Sequence, residues 1–322
     1  MRRNWRVIGL ALVLCSAGLA LGSETALGFV VEDHFTIEDA PRWSNVPGSL
    51  LEQRVRGLGG GLEYALEDGW CEQLTPIFLD DPKPTCEQLL EITKRAFDKW
   101  TVGHPILRFT DVTGKIRPDL TPERGAEIDL FAKTTPSPGA AGEAIFYSRR
   151  QGPVGTNGKE LPGHTIISAD IYMHSGRCYF IDPALKDQRH PSGVRCSHFE
   201  SVLMHEIGHA LGLAHTHEAA MRNQNFDTDD DPLNEIVIDC EDPTKGLKQS
   251  RNVDPFAIMS YWPSWPEELG KLHNDDIGGR DFLYPICPST ASAPRGLDGM
   301  GLGLMLGIFG WGVVGLVRRV RF

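Results

Sequence analysis

The 322 residues contain no Cys-x-x-Cys pair and no internal repeat. The missing pair argues against a cysteine-held zinc or a dithiol redox site. Positive charge is also scarce away from the ends. Lys and Arg number 32 against 43 Asp and Glu, a formal net charge of −11. Arg2, Arg3, Arg6, Arg318, Arg319 and Arg321 sit at the termini, and taking those six away leaves −17 on the residues between. A body this acidic repels a phosphate backbone, so nucleic acid is excluded as its main partner. Charged residues make up only 23% and apolar ones 41%, which is not the composition of a disordered chain. The length suits one large or two small globular domains with a core of their own.

The ends are apolar where the middle is not. Arg2, Arg3 and Arg6 precede an apolar run over 7–21, and Ala20-Leu21-Gly22 then offers small residues before Ser23. Residues 1–22 therefore read as a secretory signal peptide. Residues 299–317 are uncharged and largely apolar, followed by Arg318, Arg319 and Arg321. At about 1.5 Å per residue a helix of that length just spans a hydrocarbon core. With its basic end cytoplasmic, the body would lie outside the cell. The tail over 299–322 is either a membrane anchor or a sorting tag removed during export, and a Pro/Ser/Ala/Gly-rich linker over 288–298 leads to it. The expected localisation is secreted or cell-surface.

Cys15 falls inside the signal, which leaves Cys71, Cys86, Cys178, Cys196, Cys240 and Cys287. An even number in an exported chain points to disulfides. Fifteen connectivities are open; nearest-neighbour pairing would join 71 to 86, 178 to 196 and 240 to 287.

Between the ends, 23–61 is either a leader or the start of the domain that continues over 62–287. Leu62-Glu63-Tyr64-Ala65-Leu66 alternates as a strand does. Thr85-Cys86-Glu87-Gln88 has the form of a capping box. It predicts a helix with Leu89, Ile92, Ala96, Phe97 and Trp100 on its buried face. Further strands are expected at 106–110, 127–132 and 165–173, which makes a mixed α/β layer.

Ser197-His198-Phe199-Glu200 has the same capping-box form and opens the helix that carries the chemistry. At 100° per residue, Phe199, Leu203, Ile207, Ala210 and Leu211 share a sector of about 120°, while His205 and His209 fall together elsewhere, at about 240° and 280°. Spacing of four stacks two imidazoles so that both can grip one ion. Glu206 lies beside them. Gly212 allows a sharp exit from the helix that returns His215 to the same ion. Three neutral imidazoles leave a fourth tetrahedral position open, the pattern of a catalytic zinc site. Zinc would bring the pKa of its water down to about 7, and Glu206 would take the proton as general base.

The string His205-Glu206-Ile207-Gly208-His209-Ala210-Leu211-Gly212-Leu213-Ala214-His215 reads HExxHxxGxxH, and with Ala257-Ile258-Met259-Ser260-Tyr261-Trp262 downstream it resembles the metzincin metalloproteases. That resemblance implies a methionine turn at Met259 under the zinc. It also implies a role for Tyr261 as an extra ligand or transition-state donor, as in astacin- and serralysin-like members. Leu272-His273-Asn274-Asp275-Asp276-Ile277-Gly278, with Asn274 as N-cap, is similar to the closing helix of the matrixin branch. Ala96-Phe97-Asp98-Lys99-Trp100 is similar to its first helix. The implied fold is α/β (α+β): a twisted, mostly parallel sheet with two long helices, a zinc cleft and a smaller C-terminal subdomain. Residues 165–173, after His164, resemble the edge strand along which such enzymes lay their substrate. The implied activity is that of an exported zinc endopeptidase acting on extracellular proteins or peptides, with a catalytically inactive zinc-binding surface protein as the alternative. The 44 positions from His215 to Met259 exceed the matrixin spacing and come nearer the astacin-like one. The cysteine-switch motif of matrixin propeptides is absent. His217 does not fit the ligand spacing and reads as a surface or supporting group. Asp227-Thr228-Asp229-Asp230-Asp231 alternates carboxylates as Ca2+ loops do, but Pro232 and Ile238 break the EF-hand pattern. The run therefore reads first as a solvated acidic loop, with Ca2+ binding as the alternative.

Overall fold

Six strands of the chain join in one sheet, and five of them run parallel. In the computed structural model the described residues are 37–46, 57–120, 124–134, 140–216, 224–225, 248–249, 254, 256–260 and 269–287. The chain divides into two units, Met1–Pro288 and Ser289–Phe322. The second unit and the signal segment 1–22 lie outside the described residues. So do Tyr261, His217, Cys240 and the acidic run 227–231. Among the described residues no helix is long and apolar enough to cross a membrane.

In chain order the elements are β1 (Pro41–Trp43), α1 (Gly57–Gly60), β2 (Leu62–Leu66), α2 (Trp70–Leu74), α3 (Cys86–Thr101), β3 (Phe109–Asp111), β4 (Ile128–Ala132), β5 (Gly142–Arg149) and β6 (His164–Met173). There follow β7 (Tyr179–Phe180), β8 (Ser197–His198), α4 (Phe199–Ala210), the small pair β9 (Gln224–Asn225) and β10 (Lys248–Gln249), and α5 (Asn274–Leu283). The main sheet runs β3-β2-β4-β6, and β5 closes it as an antiparallel edge on β6. On its other side β6 pairs with β4 over Ala169 to Met173 and with β1 over His164 to Ile166. This mostly parallel sheet with α3 and α4 agrees with the mixed α/β architecture expected from the sequence.

Side chains near the N-termini set the starts of the three longer helices. Thr85 caps α3 through Gln88 N–H, and the Gln88 side chain returns to Thr85 N–H at 2.8 Å. Leu89, Ile92, Ala96, Phe97 and Trp100 are all buried, as the helical period requires. At α4 the capping box does not form. The cap is His198, whose ring nitrogen accepts the Ser201 N–H, and Glu200 turns away to Arg95 and Lys99 of α3. Two nearby cations hold a buried carboxylate better than one backbone N–H does, so the ion pairs win. At α5 the cap is His273 rather than Asn274, because Asp276 Oδ2 accepts the His273 N–H at 2.8 Å.

Two expectations change at the sheet. The strand expected at 106–110 begins only at Phe109, because Leu107 N–H is taken by His104 Nδ1. Residues 165–173 are not an edge strand, since β6 has partners on both sides. The edge is β5, which the alternation analysis did not detect. Disulfides join Cys71 to Cys86 and Cys178 to Cys196, as nearest-neighbour pairing proposed. Cys287 is also disulfide-bonded.

Two indoles pin α4 in the core. Trp100 Nε1 donates to Met204 O at 2.9 Å from α3, and Trp43 Nε1 donates to Ala210 O at 3.0 Å from β1. Both rings are fully buried, so the bonds are shielded from water. The stretch 23–61 thus contributes a strand to the sheet and a ring to the core. Truncating Trp43 to Ala removes a large buried ring and one hydrogen bond. The expected loss is about 3–5 kcal/mol of folding stability, measured by denaturant unfolding. A loss below about 1 kcal/mol would mean that β1 is not part of the cooperative core.

Candidate metal centre

Helix α4 supplies the first two groups of the centre. His205 and His209 are one turn apart, on a helix whose other faces are sealed by Phe199, Leu203, Ile207 and Ala210. The helix then has to stop. Gly212 takes a φ of +101°, open to glycine and strained for other residues, and a Cβ there would lie 2.4 Å from the Pro41 carbonyl of β1. The chain reverses at this point and Leu213 N–H returns to Gly208 O at 3.0 Å. His215 is thereby delivered back over the helix.

The three rings converge. Nε2 of His205 lies 2.9 Å from Nε2 of His215 and 3.0 Å from Nε2 of His209, and the last pair is 3.1 Å apart. Which nitrogen carries the proton follows from the outer partners. His205 Nδ1 faces Ile258 O at 2.6 Å and His209 Nδ1 faces Leu213 O at 2.7 Å. A carbonyl oxygen can only accept, so each Nδ1 donates and each Nε2 of the neutral ring presents a lone pair. Lone pairs about 3 Å apart repel one another unless a cation lies among them. Two ligands of a tetrahedral ion with bonds of about 2.0–2.1 Å would be about 3.3 Å apart, close to what is seen. This donor set therefore fits a small cation of the zinc type. It is the one group of three metal-ligating side chains among the described residues.

Electrostatics support a neutral ring at His209. Burial, with His205 and His215 adding to it, holds His209 well below the usual imidazole range. Glu206 is buried beside them, 4% exposed, and burial, followed by Glu143, pushes its carboxyl well above the usual carboxylate range. The backbone of β5 passes directly against this carboxylate: a Cβ on Gly142 would come within 2.7 Å of Glu206 Oε1. Edge strand and buried acid are thus neighbours.

Beneath the helix lies the turn that carries Met259. It is buried, and a Cβ on Gly208 would lie 2.3 Å from the Met259 sulfur, so Gly208 is the residue that lets the turn approach. Ser260 N–H closes the turn on Ala257 O, and Thr216 N–H reaches Met259 O at 3.2 Å. Asp276, in the first turn of α5, accepts Ile258 N–H on Oδ2 at 2.9 Å and Met259 N–H on Oδ1 at 3.0 Å. Burial raises its carboxyl to about 6. Ile258 is the residue whose carbonyl fixes the His205 ring, so Asp276 reaches the centre through one peptide unit.

The structure therefore brings together His205, Glu206, His209, His215 and Met259. Tyr261 and the acidic run 227–231 lie outside the described residues. Sequence reasoning missed the support given by Asp276 and by β5. A carboxylate pair in the first turn of the closing helix was the available signal for Asp276. For β5 there was none, since Gly-Glu-Ala-Ile-Phe-Tyr-Ser-Arg does not alternate.

A scan of protein-family models matches the matrixin peptidase model to residues 73–239, just over half of the chain. No curated protein matches the chain. The match includes α3, the sheet from β3 to β6, and the whole of α4 with the three histidines. By its sequence and its fold, the chain belongs to the matrixin family of metallopeptidases.

Proposed function

We propose that this protein is an exported zinc endopeptidase that cleaves extracellular proteins or peptides. The observation that carries the reading is the convergence of three imidazole Nε2 atoms beside a buried carboxylate. His205, His209 and His215 would hold zinc through Nε2. Zinc bound there supplies a Lewis acid that polarises a carbonyl and acidifies water. Glu206 takes the proton of the attacking water and hands it to the leaving amine, a shuttle suited to a carboxyl that burial holds above its usual range. Tyr261, two positions beyond Met259, would donate to the oxyanion as the amide breaks.

Substrate placement follows from the sheet. Among the described residues β5 pairs only with β6, and its outer edge is available to an extended peptide. Because β5 touches Glu206 at Gly142, a peptide added to that edge would run past the acid. Export is supported by the signal-like N-terminus and by two disulfides, which persist in oxidising compartments. Sequencing the N-terminus of protein recovered from the medium should give a chain starting near Ser23; retention inside the cell would sink the export reading.

Cleavage of a mixed peptide library by the zinc-loaded protein tests the activity. Glu206→Ala should lower kcat by about 10²–10⁴-fold while zinc stays bound, and Tyr261→Phe should lower kcat with KM little changed. No cleavage by a folded, zinc-loaded wild type would favour the inactive binding-protein alternative. Asp276→Asn replaces one of the two acceptors under Ile258 and Met259 with a donor, which loosens the carbonyl that orients His205. The zinc dissociation constant is expected to rise by about 10–100-fold, read by competition with a chromogenic chelator. An unchanged constant would show that the turn does not set ligand orientation.

A further inference from the structure

On the face of the sheet away from the helices, two acids are buried side by side. The register places Asp129 of β4 directly beside Asp170 of β6. Alternation puts both on the outer face, because Ile128, Leu130, Ala169 and Ile171 fill the main core. Asp129 is 0% exposed and Asp170 is 1% exposed. Their surroundings differ. Asp129 accepts Ala126 N–H on Oδ1 at 2.9 Å and Asp119 N–H on Oδ2 at 3.0 Å. Neither oxygen of Asp170 meets hydrogen-bond geometry with any donor, although the nearby Tyr172 hydroxyl offsets a little of its burial. No lysine or arginine makes an ion pair with either carboxylate among the described residues. The ammonium that acts on Asp170, that of Lys133, lies over the Phe131 ring at 4.0 Å and the Tyr172 ring at 5.6 Å.

Two anions in this position would each carry a desolvation penalty of several kcal/mol, against which Asp170 has only the pull of Lys133, with which it makes no ion pair, and Asp129 has no cation. A bound proton removes that penalty. We propose that Asp129 and Asp170 form a proton latch across the β4–β6 pair, which holds the central strands together while a proton is retained and loosens them when both carboxyls ionise. The groups that face the pair are acidic or neutral on balance. Asp119 adds repulsion to both acids, Tyr147 and Glu143 of β5 surround Tyr172, and Lys133 alone acts in the opposite sense. Burial is the larger cause for each member, and it raises Asp129 to about 7 and Asp170 to about 6.

The sign follows from linkage. Both carboxyls bind protons more tightly folded than unfolded, so their stabilising contribution is complete below the unfolded value of about 3.9 and is lost as pH rises through about 6 and then 7. Since β6 also carries β5, the loosening reaches the strand that touches Glu206. The latch concerns stability and stands whether or not the protein cleaves peptides.

The test is denaturant unfolding of the full zinc-loaded chain at pH 5 and pH 8, wild type beside Asp170→Asn. An asparagine keeps the shape without the charge and leaves both hydrogen bonds of Asp129 intact. The wild-type folding constant should fall from pH 5 to pH 8 by about tenfold or more beyond the fall in the variant. The variant should also be the more stable of the two at pH 8. Equal pH slopes, or a variant less stable than wild type by the same factor at both pH values, overturn the latch. Stabilisation of the wild type alone by added calcium at pH 8 also overturns it, in favour of a bound cation. Should Asp170→Asn fail to fold, Asp170→Thr is read in the same way, from the change in its relative stability between the two pH values.

Discussion

Three imidazole Nε2 atoms held within 3.1 Å of one another are a constraint that the rest of this domain has to support. They repel in the absence of a cation, so the rings must be fixed from behind. Two of those supports are backbone carbonyls, Ile258 O and Leu213 O, and a carbonyl is only as well placed as the turn that bears it. The Leu213 turn is fixed by Gly212, which lies against β1. The Ile258 turn is fixed by Asp276 below it and by Gly208 above it, where the absence of a side chain admits the Met259 sulfur. Segments distant in the sequence thus converge on one set of nitrogens.

Helix α4 is the element through which these supports act. It is held at its middle and its C-terminal end by indole N–H groups from α3 and β1, and at its start by the ion pairs of Glu200 with Arg95 and Lys99. Lys99 also donates to Gly270 O, so the same side chain ties the approach to α5. A helix of 12 residues carrying two half-buried imidazoles would be marginal alone, and tertiary packing makes it rigid. Rigidity matters here because the ligand geometry leaves little tolerance.

The sheet behind α4 has two different faces. Its inner face is apolar and continuous with the helices, while its outer face carries the acids Asp129 and Asp170 on adjacent strands. That 127–132 and 165–173 form strands was readable, but not that both acids are buried. Their burial depends on what covers the outer face, and single-strand periodicity carries no information about that.

The sequence by itself determined the donor set, the elements that bear it and the family they resemble. HExxHxxGxxH fixes which side chains can meet because a helix has one geometry and a glycine turn few alternatives. The cap at Thr85 and the strand at 62–66 were readable for the same reason: their partners lie within a few residues. What only the tertiary structure decided were the competitions between partners far apart in the chain. Glu200 abandoned a local cap for Arg95 and Lys99, Asp276 found Ile258 and Met259 at the turn, and β5 took the outer edge of β6 that sequence analysis had given to residues 165–173. Each outcome compares a local interaction with a distant one of similar strength, and only the packed fold brings the distant partner into reach.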